Sequence, residues 1–181
     1  WLGAGLSSVP GIRRLAASGR PLILWNRTLS KAQIALDGSS GQARRLDWAE
    51  LTEPVQSGDV VVSMLPADLH SQVADLCLHR GSHFVSSSYV SPAMQALDAE
   101  AKANDLRFVN EVGLDPGIDH LMAHALMADY QSSGVMNPAH EHCFRSFCGG
   151  FPSQPNDFRY KFSWSPLGVL RALKTPARWI E

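Results

Sequence analysis

The chain has 181 residues, with 16 Lys and Arg against 17 Asp and Glu, so its formal net charge at pH 7 is −1. This balance gives no basis for attracting a polyanion or a charged membrane surface, and we expect neither nucleic acid nor membrane as a partner. The odd number of cysteines, Cys77, Cys143 and Cys148, contains no C-x-x-C pair. A secreted disulfide framework is therefore disfavoured, and we predict a cytoplasmic protein.

Short apolar runs alternate with segments of helical period along the first two thirds of the chain. That alternation is typical of β-α-β winding, and it predicts an α/β fold with a Rossmann-like, doubly wound parallel sheet. The strand candidates are a stub at Leu2, then residues 21–25, a weak strand near Arg45 and Leu46, and residues 59–65, 83–87 and 106–110. Helices are predicted between them, over residues 9–18, 67–81 and 91–105, the last with Ser91 as cap and Pro92 in the first turn.

Past about residue 116 the pattern changes. We expect a helix over residues 119–131, a strand over 142–150, a loop rich in Pro and Asn, and a helix that begins at Ser165-Pro166. These features predict two units. Residues 1–116 would form a nucleotide-binding domain whose first strand is truncated, and residues 117–181 the beginning of a second, incomplete α/β domain that binds substrate.

The opening residues contain a G-x-G pair close to a predicted helix start. Gly3 and Gly5 match the first two positions of the dinucleotide fingerprint, and Ser8 takes the third, where a small residue lets the helix pack on the sheet. A G-x-G loop normally follows a strand of about five residues, yet only two residues precede Gly3 here. The alternative is that both glycines belong to an ordinary turn.

The end of the next predicted strand indicates which dinucleotide would bind. An NAD site usually places Asp or Glu there, but this chain reads WNRTLSKA, with no carboxylate. Arg27 follows the strand directly, and Thr28 and Lys31 could supply a hydroxyl and a second cation to a 2′-phosphate. Because a guanidinium matches phosphate oxygens in a bidentate way, we predict NADP(H) as the cofactor. Otherwise, Arg27 and Lys31 are an ordinary solvated pair at helical spacing.

Ligands of open parallel sheets collect beyond the carboxyl ends of the strands, and residues 63–66, 86–89 and 110–117 lie at such ends. Proton transfer at this rim could use Tyr89, Asp115, Cys148 or His120. Each of the first three also has a structural interpretation. Tyr89 could cover a loop, Asp115 before Pro116 could be a turn residue, and Cys148 could be a small apolar residue.

Four stretches carry a more specific resemblance: residues 63–70 (SMLPADLH), 86–102, 110–123 (NEVGLDPGIDHLMA) and 148–170, which includes YKFSWSP. They resemble the NADP-dependent, glutamate-forming saccharopine dehydrogenases. That family reversibly joins glutamate to 2-aminoadipate 6-semialdehyde through an imine that NADPH reduces to saccharopine. The resemblance implies an oxidoreductase of lysine metabolism, and it supports Tyr89, Asp115 and Cys148 as active-site residues.

The site residues expected on this basis fall into two further groups. Those assigned to the cofactor are Gly3, Gly5, Leu6, Ser7, Asn26, Arg27, Thr28, Lys31, Ser63, Leu65, Pro66 and Ser87. Those assigned to the amino-acid substrate are Ser88, Tyr89, Asn110, Leu114, Asp115 and Arg159. Saccharopine carries three carboxylates, so cations are expected in its site, with Arg145, Lys161 and Arg171 as further candidates. Leu167 departs from the family, whose members usually have Arg there, so the substrate could differ from saccharopine.

Three alternatives stay open. A related imine-reducing dehydrogenase would join the aldehyde to a polyamine, and a non-catalytic protein would bind NADPH without turnover. A metal site could be drawn from His120, His124 and nearby carboxylates, but no complete ligand framework is present, and we expect no metal. From the proportions of homologous proteins, we expect a homodimer.

Overall fold

The computed structural model describes residues 1–174 and Pro176, and these residues form an α/β fold. The strands are β1 (Ile23–Asn26), β2 (Gln42–Arg45), β3 (Val60–Ser63), β4 (His83–Ser86) and β5 (Phe108–Val109). The helices are α1 (Val9–Ala17), α2 (Leu29–Leu36), α3 (Trp48–Leu51), α4 (His70–Arg80), α5 (Pro92–Ala96), α6 (Asp98–Ala103), α7 (Ile118–Ser132) and α8 (Pro166–Ala172). A short 3₁₀ helix, Ala67–Leu69, precedes α4.

Leu2 joins the two halves of the sheet. Strand β1 pairs in parallel with β2, while β3, β4 and β5 form a second parallel set. Leu2 makes parallel bridges to Trp25 on one side and Ser63 on the other. Its N–H donates to the Val62 carbonyl at 2.8 Å, and its carbonyl accepts from the Met64 N–H at 2.8 Å. The resulting order is β2, β1, Leu2, β3, β4, β5, which confirms the doubly wound parallel arrangement, with Leu2 at its switch point.

Successive residues of β1 point to opposite faces of the sheet, and each face carries its own core. Leu24 is fully buried among Ile12, Ala32 and Leu36, so α1 and α2 cover this face. Trp25 joins the other cluster, which α3, α4 and α5 complete. Its buried members are Leu2, Trp25, Leu51, Val55, Val61, Val73, Ala74, Cys77, Phe84 and Met94. Helices on both faces leave the carboxyl ends of the strands as the open edge.

Most predicted elements are confirmed, including the helix caps. The Ser91 and Ser165 hydroxyls accept from the N–H groups of Met94 and Gly168, each at 3.1 Å. The helix predicted over 91–105 is divided into α5 and α6 at Leu97, which keeps right-handed helical dihedrals but donates its N–H to Met94 three residues back.

The strand predicted over residues 142–150 is wrong. This segment has no regular secondary structure and is exposed, with the Phe147 side chain 85% accessible. A strand-like segment becomes a strand only beside a partner that takes up its backbone hydrogen bonds, and within the described chain no strand pairs with this segment. From residue 117 onwards the described chain holds only the helices α7 and α8. Within the described residues, no helix is both long and apolar enough to cross a membrane.

Candidate functional site

The glycine loop between Leu2 and α1 is a tight bend against β3. Gly3 has a φ of +96°, and a Cβ at this position would lie 2.7 Å from the Met64 carbonyl oxygen, so only glycine fits. Its carbonyl accepts hydrogen bonds from Trp1 Nε1 at 2.9 Å and Ser8 Oγ at 3.3 Å. Ser8 is 3% exposed and also donates to the Gly5 carbonyl at 2.9 Å. The loop is therefore fixed from both ends.

The outer side of this bend is open. A Cβ at Gly5 would meet nothing within 4 Å. Leu6 and Ser7 are exposed, and within the described chain their N–H groups have no hydrogen-bond acceptor. Free N–H groups at the start of a helix, together with the helix dipole, form a binding site for phosphate. The open position at Gly5 leaves room for such a group to approach the backbone.

Asn26, the last residue of β1, ties this loop to the basic segment that follows. Its Oδ1 accepts from the Ala4 N–H at 3.0 Å, and its Nδ2 donates to the Thr28 carbonyl at 2.9 Å. Arg27, Thr28 and Lys31 are exposed, and the Thr28 hydroxyl does not cap α2. Within residues 1–174, neither Arg27 nor Lys31 has an ion-pair partner. Both cations are thus available to an anionic ligand beside the glycine loop.

A buried polar network crosses the carboxyl ends of β3 and β4. His70 is 5% exposed, and its Nδ1 and Nε2 lie 2.9 Å from Ser63 Oγ and 2.8 Å from Ser88 Oγ. Burial lowers the pKa of His70, against the opposing charge of Asp68. A second link joins Ser86 Oγ to Asn110 Oδ1 at 3.0 Å. Leu65 and Pro66 follow directly, between Ser63 and the 3₁₀ helix.

The three predicted catalytic residues come together around one carboxylate. The Tyr89 hydroxyl donates to Asp115 Oδ1 at 2.6 Å, and Cys148 lies close enough for the Asp115 carboxylate to act on its thiol. The hydrogen bond to Asp115, burial and the charges of Asp115, Asp119 and Glu111 raise the pKa of Tyr89 to about 12. Burial and the Asp115 carboxylate also raise the pKa of Cys148. The phenol and the thiol therefore stay protonated near neutral pH.

Asp115 is presented at the tip of a closed turn. Gly113 donates to the Pro116 carbonyl at 3.0 Å and Gly117 to Asp119 Oδ1 at 2.7 Å. A Cβ on Gly117, whose φ is +146°, would clash with the Gly113 carbonyl oxygen. Ser87 packs against Gly113, and Leu114 is exposed beside the carboxylate. The turn thereby holds Asp115 opposite the end of β4.

Arg159 occupies a different place among the predicted site residues. It lines a shallow cleft with Phe151, Pro152 and Pro155, and in the described chain no hydrogen bond or ion pair joins it to Tyr89 or Asp115.

His120 pairs with Asp119 at 3.8 Å, and the described residues contain no group of three or more His, Cys, Asp or Glu placed to hold a metal ion. His70 is the site residue that the sequence analysis missed.

The parallel sheet, the glycine bend and the free N–H groups before α1 define a dinucleotide-binding domain of the Rossmann type. Comparison with known families makes this specific. A model described as the saccharopine dehydrogenase NADP binding domain matches residues 1–109, and one described as the saccharopine dehydrogenase C-terminal domain matches residues 113–181. The chain therefore belongs to the saccharopine dehydrogenase family.

Individual relatives agree. The chain is 37% identical to saccharopine dehydrogenase (NADP+, L-glutamate-forming) of Pyricularia oryzae, over 99% of this chain and 41% of that protein. It is 38% identical to the alpha-aminoadipic semialdehyde synthase of Arabidopsis thaliana, over 87% of this chain and 15% of that protein. The structure of an apo saccharopine dehydrogenase (L-Glu forming) from Saccharomyces cerevisiae superimposes with a TM-score of 0.71 at 32% identity, covering 96% of this chain and 40% of that one. The chain thus spans about two fifths of the two fungal proteins.

Proposed function

We propose that the natural protein containing this chain is an NADP(H)-dependent saccharopine dehydrogenase. It would interconvert saccharopine with glutamate and 2-aminoadipate 6-semialdehyde. The observation that carries the proposal is the Tyr89–Asp115–Cys148 cluster, which stands beyond the same sheet edge as the open glycine loop and the unpaired Arg27. Family membership and the names of the relatives support the same reaction.

The coenzyme's part in this reaction is to accept or deliver hydride at the carbon next to the substrate nitrogen. The chain's own residues bind and orient it. The N–H groups of Leu6 and Ser7 would hold the diphosphate and Gly5 would give it room, while Arg27 with Lys31 would hold the 2′-phosphate, assisted by the Thr28 hydroxyl. The proposed cofactor contacts at Ser63, Leu65, Pro66 and Ser87 lie at the ends of β3 and β4, nearer the substrate side.

Asp115 is the proposed acceptor of the proton that the substrate amine loses. Tyr89 donates a hydrogen bond to it and Cys148 lies within the influence of its charge, and the raised pKa values of both make them unsuitable as bases near neutral pH. The Tyr89 hydrogen bond orients the carboxylate instead. Ser88, Asn110 and Leu114 would line the substrate side, and Arg159 would have to approach from its separate cleft to hold a substrate carboxylate.

Coenzyme preference tests the nucleotide half of the proposal. In the full natural protein, we expect Arg27→Ala to weaken NADPH binding about ten-fold or more and NADH binding less than about two-fold, because a charge-assisted contact to the 2′-phosphate is lost. Fluorescence titration with both coenzymes measures the difference. Arg20→Ala is the matched control, since Arg20 is an exposed arginine beyond the opposite end of α1. Equal losses for the two coenzymes would refute the assignment of Arg27.

Turnover tests the chemical half. NADPH oxidation with 2-aminoadipate 6-semialdehyde should require glutamate, and a diamine in its place should not support it. Turnover with the diamine alone would identify a polyamine-type enzyme, and NADPH binding without turnover by any such pair would identify a binding protein. The comparison is necessary because Leu167 stands where members of the family usually have Arg. This leucine is 57% exposed at the start of α8.

Assembly, domain boundary and location are further proposals. The family matches meet between residues 109 and 113, which supports a boundary close to the predicted 116/117. We propose a cytoplasmic location, and the free state of Cys77, Cys143 and Cys148 agrees with a reducing compartment. Cell fractionation tests the location, and sedimentation of the full natural protein tests the proposed homodimer.

A further inference from the structure

A histidine whose two ring nitrogens are both hydrogen-bonded lies between the proposed cofactor side and the proposed substrate side of the site. His70 opens α4, and the edge of its ring meets Phe84 at a centroid distance of 6.1 Å and an interplanar angle of 71°. Ser63, the last residue of β3, binds one nitrogen, and Ser88, two residues beyond β4, binds the other. The ring therefore has one defined orientation with one serine on each side.

Ser63 determines which nitrogen carries the proton. Its side chain is fully buried, and within the described residues His70 Nδ1 is its only hydrogen-bond partner. If Nδ1 were protonated and donated to Ser63, the serine's own O–H would be buried without an acceptor, which is costly. The favoured arrangement has the Ser63 hydroxyl donating to Nδ1. A neutral imidazole then carries its single proton on Nε2.

Protonated Nε2 has a consequence for Ser88. Nε2–H donates to Ser88 Oγ, so the serine oxygen is used as an acceptor and its own proton is directed away from the ring. Ser88 is half-buried, and it directly precedes Tyr89, the residue whose hydroxyl donates to Asp115. Burial lowers the pKa of His70 and keeps the ring neutral, as this arrangement needs.

We infer that His70 is a positioning residue that makes the Ser88 hydroxyl a hydrogen-bond donor to an oxygen of the bound ligand. The inference rests on the proposed function, which supplies two such oxygens: a carboxylate of the amino-acid substrate and the carboxamide oxygen of the coenzyme. A carboxylate accepts only, and it therefore selects a serine whose proton is free. His70 acts through Ser88 and does not touch the ligand.

Kinetics of four variants of the full natural protein test this inference. His70→Phe keeps an aromatic ring against Phe84 but removes both nitrogens, and Ser88→Ala removes the donor. We expect each to lower kcat/KM for the amino-acid substrate by about ten-fold or more. Because His70 acts through Ser88, the kcat/KM of the double variant should lie within about two-fold of that of the less active single variant. His79→Gln is the matched control, because His79 is an exposed histidine of the same helix. Additive losses in the double variant would overturn the inference.

Two amide replacements separate positioning from packing. The amide nitrogen of glutamine reaches the place of Nε2, whereas that of asparagine reaches only the place of Nδ1. His70→Gln should therefore recover most of kcat/KM, and His70→Asn should not, at equal thermal midpoints. Equal activities of the two would contradict a role for Nε2. A loss confined to the KM of the amino acid identifies the substrate carboxylate as the acceptor, and a matching loss of NADPH affinity identifies the coenzyme.

The ring proton can also be observed without turnover. Long-range ¹H–¹⁵N spectra of the unmodified protein should show His70 as the Nε2–H tautomer, and Ser88→Ala should shift the Nε2 resonance while Nδ1 stays within its range. An Nδ1–H tautomer would overturn the inference even if the enzyme is active. Absence of turnover with the expected tautomer would instead refute the proposed function alone.

Discussion

Gly3 and Gly5 stand two residues apart in one loop but serve different purposes. An added Cβ at Gly3 would meet the Met64 carbonyl oxygen at 2.7 Å from a backbone with positive φ, whereas at Gly5 it would meet nothing within 4 Å. We expect Gly3→Ala to destabilise the protein by at least about 1–2 kcal/mol, and Gly5→Ala by less than about 0.5 kcal/mol. Denaturant midpoints of both variants measure this difference.

NADPH titration of the same two variants completes the comparison. Gly5→Ala should lower NADPH affinity in a stably folded protein, because its methyl group occupies the space through which the diphosphate approaches. If Gly5→Ala bound NADPH as well as the unmodified protein, the bend would be a plain turn, which is the alternative that the sequence left open.

The Tyr89 phenol reports directly on Asp115. With its pKa raised to about 12, Tyr89 should ionise well above an ordinary tyrosine in a spectrophotometric titration. Asp115→Asn removes the negative charge that disfavours the phenolate, so the Tyr89 pKa should fall towards about 10. Subtracting the Tyr89→Phe titration isolates this phenol from Tyr130 and Tyr160. An unchanged Tyr89 titration in Asp115→Asn would mean that the two side chains do not interact in solution.

Among the elements, those with local signals were predictable from sequence. Ser91 and Ser165, each followed by proline, mark helix starts because a hydroxyl cap and a residue without an N–H suit the first turn. Asp47 caps α3 in the same way, its carboxylate accepting from Ala49, and that signal was available but unused. The strand at 142–150 failed because strand formation depends on a neighbour, which no local pattern supplies.

Helix α4 shows why the candidate site was found only in part. The sequence analysis placed Arg27, Tyr89 and Asp115 at strand ends, where topology alone concentrates ligands. The buried positions of α4 are His70, Val73, Ala74 and Cys77, a helical spacing that includes one polar residue. A histidine on the apolar face of a helix was therefore the available signal. Its two serine partners lie 7 and 18 residues away, on other elements, and no local pattern connects them.

At the scale of the whole molecule, order and burial are unevenly distributed. The buried residues of both clusters come from residues 2–94. Between Ile118 and Leu173, by contrast, many large apolar side chains are exposed, among them Phe147, Phe151 and Phe158. Hydrogen exchange follows local burial and hydrogen bonding. In the 181-residue chain, we expect amides of β1, β3 and β4 to exchange at least about a hundred-fold more slowly than those of residues 142–150. Mass spectrometry after deuteration measures both. Slow exchange over 142–150 would show that this segment is hydrogen-bonded after all, as its sequence pattern indicated, and the exposed aromatic residues would then need a partner surface within the chain.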